Sequence, residues 1–199
     1  LDATAEAKHI VFDKTGTLTT GDLVFVSVLA LPPEHSWSME SAPLVNPTHA
    51  LQGEELNNML AIAAALERGA VHPIAVAVSD KAAELNLETS HLHLDNLMTV
   101  PGQGVEAMVR MPGAAAIGLH PRPLSAAGGM SHHLTPVRLG RMSYIIPNRP
   151  WLKNLRDQVS NRGELLVSAM RHGDETYLLL FRDQVRMEAA AGIASLKRQ

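Results

Sequence analysis

His9-Ile10-Val11-Phe12-Asp13-Lys14-Thr15-Gly16-Thr17-Leu18-Thr19 is the segment whose reading decides the fold. A short, partly β-branched apolar run ends at a carboxylate and enters a Thr/Gly-rich turn. This pattern predicts a buried strand with Asp13 at its C-terminal end, where open α/β sheets place their ligands. The turn offers backbone N–H and hydroxyl donors that can hold a phosphoryl group in line with the carboxylate, so Asp13 is a candidate nucleophile. Lys14 adds positive charge beside the transferring group, and an oxygen-seeking magnesium ion fits one carboxylate plus phosphate oxygens. Two residues past Asp13, a hydrolase of this architecture would need an acid–base Asp; Thr15 stands there instead, so an aspartyl phosphate is expected to persist.

Outward from this segment the chain alternates element types. Asp22 to Ala30 reads as a second strand, and Pro32, Pro33, Pro43 and Pro47 make residues 31–52 a loop. Glu54 to Arg68 has apolar residues at helical spacing and stops at Gly69; His72-Pro73 opens another helix to about Asn86, with the proline in the first turn. Leu92, Leu94 and Leu97 lead into the turn Pro101-Gly102-Gln103-Gly104, and Val105 to Met111 alternates as a strand. Residues 112–136 are rich in Gly, Pro, Ala, Ser and His and read as a long loop or insertion. Val137 to Ile146 holds short strand-like pieces, Trp151 to Asn161 an amphipathic helix, and Glu164 to Met170 pairs with Glu175 to Phe181 across Arg171-His172-Gly173-Asp174. Glu188 to Lys197 is expected to be helical.

With 199 residues, 46% of them hydrophobic, the chain can bury a core of one large domain or two small ones. A net charge of −3 without a basic stripe argues against a nucleic-acid partner. Cysteine is absent, which removes disulfides and thiolate metal sites without identifying a compartment. The apolar runs fall far short of the roughly 20 residues that span a bilayer, so a soluble piece is expected. Leu1 in place of methionine, and an end at Gln199 directly after a helical pattern, suggest a piece cut from a longer protein. The ten histidines include His91/His93 and His132/His133, but neither pair has a third ligand in view, and solvent-facing histidines are the simpler reading.

The string Asp13-Lys14-Thr15-Gly16-Thr17-Leu18-Thr19 resembles the phosphorylation signature of P-type ATPases. Glu67, Gly69, His72-Pro73 and Pro101-Gly102-Gln103-Gly104 resemble, in order and spacing, the nucleotide-binding domain of the heavy-metal-transporting branch. That resemblance implies ATP and Mg2+ as cofactors, with Asp13, Lys14 and Thr15 catalytic and Asp13 and Thr15 holding the metal. It further implies that Glu67 bonds the adenine amino group, His72 orients the base, Gly102 and Gly104 admit the nucleotide to the backbone, and Val105 touches the ring. Gly140, in a later glycine segment, would also belong to the nucleotide site, while Asp183 and Arg186 would lie at the nucleotide or at a hinge. The chain departs from the pattern at Val71, where a Glu is expected, and at Arg141, where an Asn is expected. An arginine can still grip phosphate as a bidentate donor but lacks an amide's mixed donor and acceptor pattern.

The implied fold is α/β: a partial Rossmann-like phosphorylation domain of the haloacid-dehalogenase type (1–23 and 176–199), with an inserted nucleotide-binding domain (24–175) of antiparallel sheet flanked by helices. The implied parent is a multi-pass membrane pump with this piece on its cytosolic side. Its partners would be ATP, a transported metal cation, and actuator and transmembrane domains absent from this piece. Two alternatives stand beside it, a phosphohydrolase of the haloacid-dehalogenase type and a degenerate, non-catalytic nucleotide-binding module.

Overall fold

The computed structural model describes residues 10–32, 34, 50–110, 134–146, 149–160 and 165–197. Six strands form one sheet in the order β1-β6-β5-β4-β3-β2, with every neighbouring pair antiparallel. They are β1 (Thr19–Ala30), β2 (His93–Val100), β3 (Gly104–Arg110), β4 (Leu134–Gly140), β5 (Leu165–His172) and β6 (Glu175–Val185). The helices are α1 (Gly53–Leu66), α2 (Pro73–Glu84), α3 (Met142–Ile145), α4 (Leu152–Ser160) and α5 (Ala189–Leu196).

The two-residue period of β6 divides the core. Tyr177, Leu179 and Phe181 join one apolar cluster with α1 and α2, whereas Leu178 and Leu180 join a second with α3 and α4. The sheet is thus covered on both faces. In the first cluster Phe25 meets Phe181 edge-on, at 6.0 Å between ring centroids. Met59 through Leu66 are all buried, and four alanines among them let the sheet and α2 approach α1 closely. Trp151, Leu155 and Val159 of the α4 segment fill the second cluster.

Most expected elements are present. The two helices after residue 52, the Gly102 turn and the pairing of Glu164–Met170 with Glu175–Phe181 appear within a few residues of the expected bounds. β4 starts at Leu134, inside what the composition marked as loop; its neighbours β3 and β5 pair it on both sides and override Pro136. Residues 111–133, with His132 and His133, lie outside the described residues, as does most of the expected 31–52 loop.

The strand expected at His9–Phe12 needs correction. Ile10 to Asp13 are irregular and exposed, Val11 to 94%, and a single π-helical turn, Lys14–Leu18, follows. A parallel strand needs a neighbour to complete its hydrogen bonds, and none of the described strands runs beside it. The described sheet is antiparallel throughout, so it carries the flanked antiparallel part of the expected architecture.

Gly104 and Gly140 are register partners, and a Cβ on Gly104 would lie 2.1 Å from the Leu139 carbonyl oxygen. Conversely, a Cβ on Gly140 would lie 2.3 Å from the Gln103 oxygen. Gly192, within α5, has open space around it. Gly104→Ala should therefore lower stability by about 3 kcal/mol through forced strand separation, while Gly192→Ala should raise it by about 0.5–1 kcal/mol. Urea unfolding midpoints of the two variants check both values.

Candidate functional site

What the structure brings together falls into three groups. The first lies at the corner between α1 and α2. Glu67 follows the last turn of α1 and is buried, and its Oε2 lies 3.0 Å from His72 Nε2. His72 is the N-cap of α2: its Nδ1 accepts from the Ala75 N–H at 3.3 Å, and Pro73 follows in the first turn. With Nδ1 accepting, a neutral imidazole carries its proton on Nε2, the ring nitrogen that lies nearest the carboxylate. Gly69 makes the corner possible with φ of +85°, which side chains with a Cβ rarely adopt. Burial pushes the Glu67 carboxyl above the ordinary range, and the nearby His72 pulls it part of the way back. The result is a buried acceptor beside a half-exposed imidazole, which suits recognition of an amino group on a flat ring. Val71, where the sequence pattern leads one to expect a Glu, projects into solvent at 92% exposure.

The second group is the β2–β3 turn and the end of β4. Gly102 takes φ of +70° in the turn, with no atom near its missing Cβ. Gly104 and Gly140 instead owe their lack of a side chain to one another, through the strand contact described above. Val105 shares the α1/α2 side of the sheet with Ala107 and Val109 and packs against that core. Arg141 donates its N–H to the Gln103 carbonyl at 2.8 Å and leaves its side chain exposed. On the other face Glu106 accepts from the Tyr144 hydroxyl and pairs with Arg138, which lies over the Tyr144 ring.

The third group surrounds the segment after Asp13. Asp13 is exposed, and the side chains of Lys14 and Thr15 lie outside the described residues. Asp183 is buried and accepts from the Thr19 hydroxyl at 2.9 Å, while Arg186 donates to the backbone oxygens of Thr19 and Gly16. The motif reading passed over Thr19, although its hydroxyl closes the signature. Asp183 and Arg186, expected at nucleotide or hinge, here bind the segment downstream of Asp13.

Magnesium fits incompletely. Among the described residues no three His, Cys, Asp or Glu side chains converge to hold a metal ion. Asp13 offers one carboxylate, and magnesium would need phosphate oxygens and further ligands to complete its octahedron. A cavity of about 190 Å³ at the far end of the α1/α2 hairpin is lined by Asn57, Asn58, Asn86, Glu88 and His91, among others, and by none of the expected nucleotide residues.

No protein-family model matches the chain. It is 30% identical over 200 residues to the probable cadmium/zinc-transporting ATPase of Arabidopsis thaliana chloroplasts, covering 99% of this chain and 22% of that protein. It is 27% identical over 198 residues to a copper-exporting P-type ATPase of Mycobacterium leprae, covering 98% and 19%. A zinc/cadmium/lead-transporting P-type ATPase of Escherichia coli matches at 25% over 198 residues, covering 98% and 20%. The chain thus spans about a fifth of the length of these curated relatives. Among solved structures, a zinc-transporting PIB-type ATPase in the E2.Pi state superposes with a TM-score of 0.55 at 22% identity, over 94% of this chain and 23% of that one, a likeness of fold. No helix among the described residues is long and apolar enough to cross a membrane.

Two titrating groups give the fold a pH signature. Burial holds the His172 imidazole below its usual range, partly offset by Glu175. The folded state therefore resists protonating His172, and its stability contribution is lost as pH falls below the unfolded value near 6.5. Glu67 has the opposite sign, since its raised value costs stability as pH climbs from about 4.5 through the folded value. The urea midpoint should accordingly drop between pH 7.5 and 5.5, and His172→Asn should shrink that drop.

Proposed function

From the premise that this chain is homologous, over 98% of its length, to heavy-metal-transporting P-type ATPases, we propose that it is the ATP-binding and aspartyl-phosphate-forming portion of such a pump. The observation that carries the reading is the Glu67–His72 pair, a buried carboxylate and a helix-capping imidazole 3.0 Å apart at a helix corner. Glu67 accepts the adenine amino group, and His72 orients the base. Gly102, Gly104, Val105 and Gly140 form the wall along which the nucleotide lies, with Arg141 in reach of phosphate.

Asp13 is the nucleophile. Its carboxylate oxygen forms a bond to the γ-phosphorus as the bridging bond to the β-phosphate breaks, and ADP leaves. Lys14 and the Thr15 turn stabilise the charge that builds on the transferring oxygens. Magnesium, when bound to Asp13, Thr15 and phosphate oxygens, would neutralise part of that charge. Thr15 cannot act as general base, so the phosphoenzyme lasts long enough for conformational change; this disfavours the phosphohydrolase reading.

The parent is then a multi-pass membrane protein with this portion on the cytosolic side, and actuator and transmembrane domains carry the metal cation. Residues 1–23 and 176–199 belong to a phosphorylation domain of the haloacid-dehalogenase type, incomplete in this chain, and residues 24–175 form the nucleotide-binding part. The exposure of Ile10, Val11 and Phe12, with an α5 of Ala, Ile and Leu that buries none of its residues, supports an apolar half-core awaiting its other half. The exposed Val71 favours, as a second reading, a degenerate module that has lost nucleotide.

Calorimetric titration with ATP decides between the two readings. Wild type should bind ATP, and Glu67→Ala should weaken binding at least about tenfold, or about 1.4 kcal/mol. His72→Asn should lose affinity while keeping stability, because Asn also caps helices, whereas His72→Ala should lose about 1 kcal/mol of stability as well. No heat with wild type, or equal affinity in Glu67→Ala, would sink the proposal.

A further inference from the structure

Resting on the reading of Asp13 as the phosphorylated residue, we propose that Asp183 and Thr19 form a latch that sets the backbone of the Asp13 turn, with Asp183 a positioning residue and not a nucleotide contact. The geometry runs through one hydroxyl. Thr19 is buried and donates its single hydroxyl proton to Asp183 Oδ2 at 2.9 Å. With that proton committed, the same oxygen accepts from the Gly16 N–H at 3.2 Å. Gly16 is three residues past Asp13 and takes φ of +80°, so its peptide orientation decides where the donors of the turn point.

Arg186 completes the hold from the far end of β6. Its Nε donates to the Thr19 carbonyl and its Nη2 to the Gly16 carbonyl, each at 3.2 Å, and its own N–H donates to the Leu18 carbonyl at 3.0 Å. Gly16 is therefore gripped at both its N–H and its C=O by groups oriented from β6. Asp183 Oδ1 is buried and has no hydrogen-bond partner among the described residues, so within them only Oδ2 of this carboxylate is engaged. Its retention there has a reason if its task is to aim the Thr19 proton. Because Asp183 sits opposite Leu23, where the chain passes between the two proposed domains, any motion of β6 against β1 reaches Gly16 through this hydroxyl.

Amide hydrogen exchange of Gly16, read by NMR on the full chain, tests the latch, with Leu60 and Ile62 as internal markers of an intact fold. Thr19→Val and Asp183→Ala should speed Gly16 exchange at least about tenfold, and Thr19→Ser should restore it to within about twofold of wild type, with the α1 markers unchanged. If Asp183→Ala fails to fold, the Thr19→Val and Thr19→Ser pair decides alone. Unchanged Gly16 exchange in Thr19→Val, or failure of Thr19→Ser to rescue it, overturns the latch. A tenfold loss of ATP affinity in a folded Asp183→Ala also overturns it, by making Asp183 a nucleotide contact. Absence of ATP binding by wild type would refute the function proposed above yet leave the Gly16 result to judge the latch.

Discussion

The antiparallel ladder between β1 and β6 joins the two ends of the described chain, from Thr19 opposite Val185 to Ala30 opposite Tyr177. Everything else hangs on that pairing. It brings Asp183 to Thr19, 164 residues away in sequence, and it sets the alternation by which β6 feeds one core cluster with Tyr177, Leu179 and Phe181 and the other with Leu178 and Leu180. Closing so long a loop is entropically costly, and the two buried clusters on either side of the sheet offset that cost.

Two kinds of glycine constraint meet between the β2–β3 turn and the end of β4. Gly102 is needed for its φ, whereas Gly104 and Gly140 are needed because two backbones approach within the space of a methyl group. A Gly-x-Gly string alone cannot separate these demands. The close approach ties β3 to β4, and the Arg141 N–H extends the tie to the Gln103 carbonyl, so the turn is held from its neighbour strand. At the corner between α1 and α2, Glu67 and His72 gain their relation from a helix stop at Gly69 and a helix start at Pro73. One imidazole thereby serves as cap and as partner to a buried acid.

Much of this was legible in residues close to one another. The Gly69 stop, the His72-Pro73 start and the hairpin at Gly173 rest on hydrogen bonds that span only a few positions, so their signals are written locally. The strand at His9–Phe12 was misread because an apolar β-branched run announces a strand only when another strand is available to pair with it. The start of β4 was missed since Pro136 and a neighbouring Gly/Ser-rich composition outweighed a pairing that only β3 and β5 supply. The bond between Thr19 and Asp183 was not legible because its two ends lie on strands 164 residues apart.

By itself the sequence determined the Asp13 signature, the absence of an acid–base Asp two residues beyond it, and the helix punctuation that sets Glu67 near His72. These depend on covalent neighbours and on donors and acceptors within one turn. Tertiary structure alone decided the strand order, the burial of Glu67 and Asp183, the mutual pinch of Gly104 and Gly140, and the grip on Gly16. Those follow from which distant surfaces exclude water together, and such burial and register are properties of the assembled sheet rather than of any single segment.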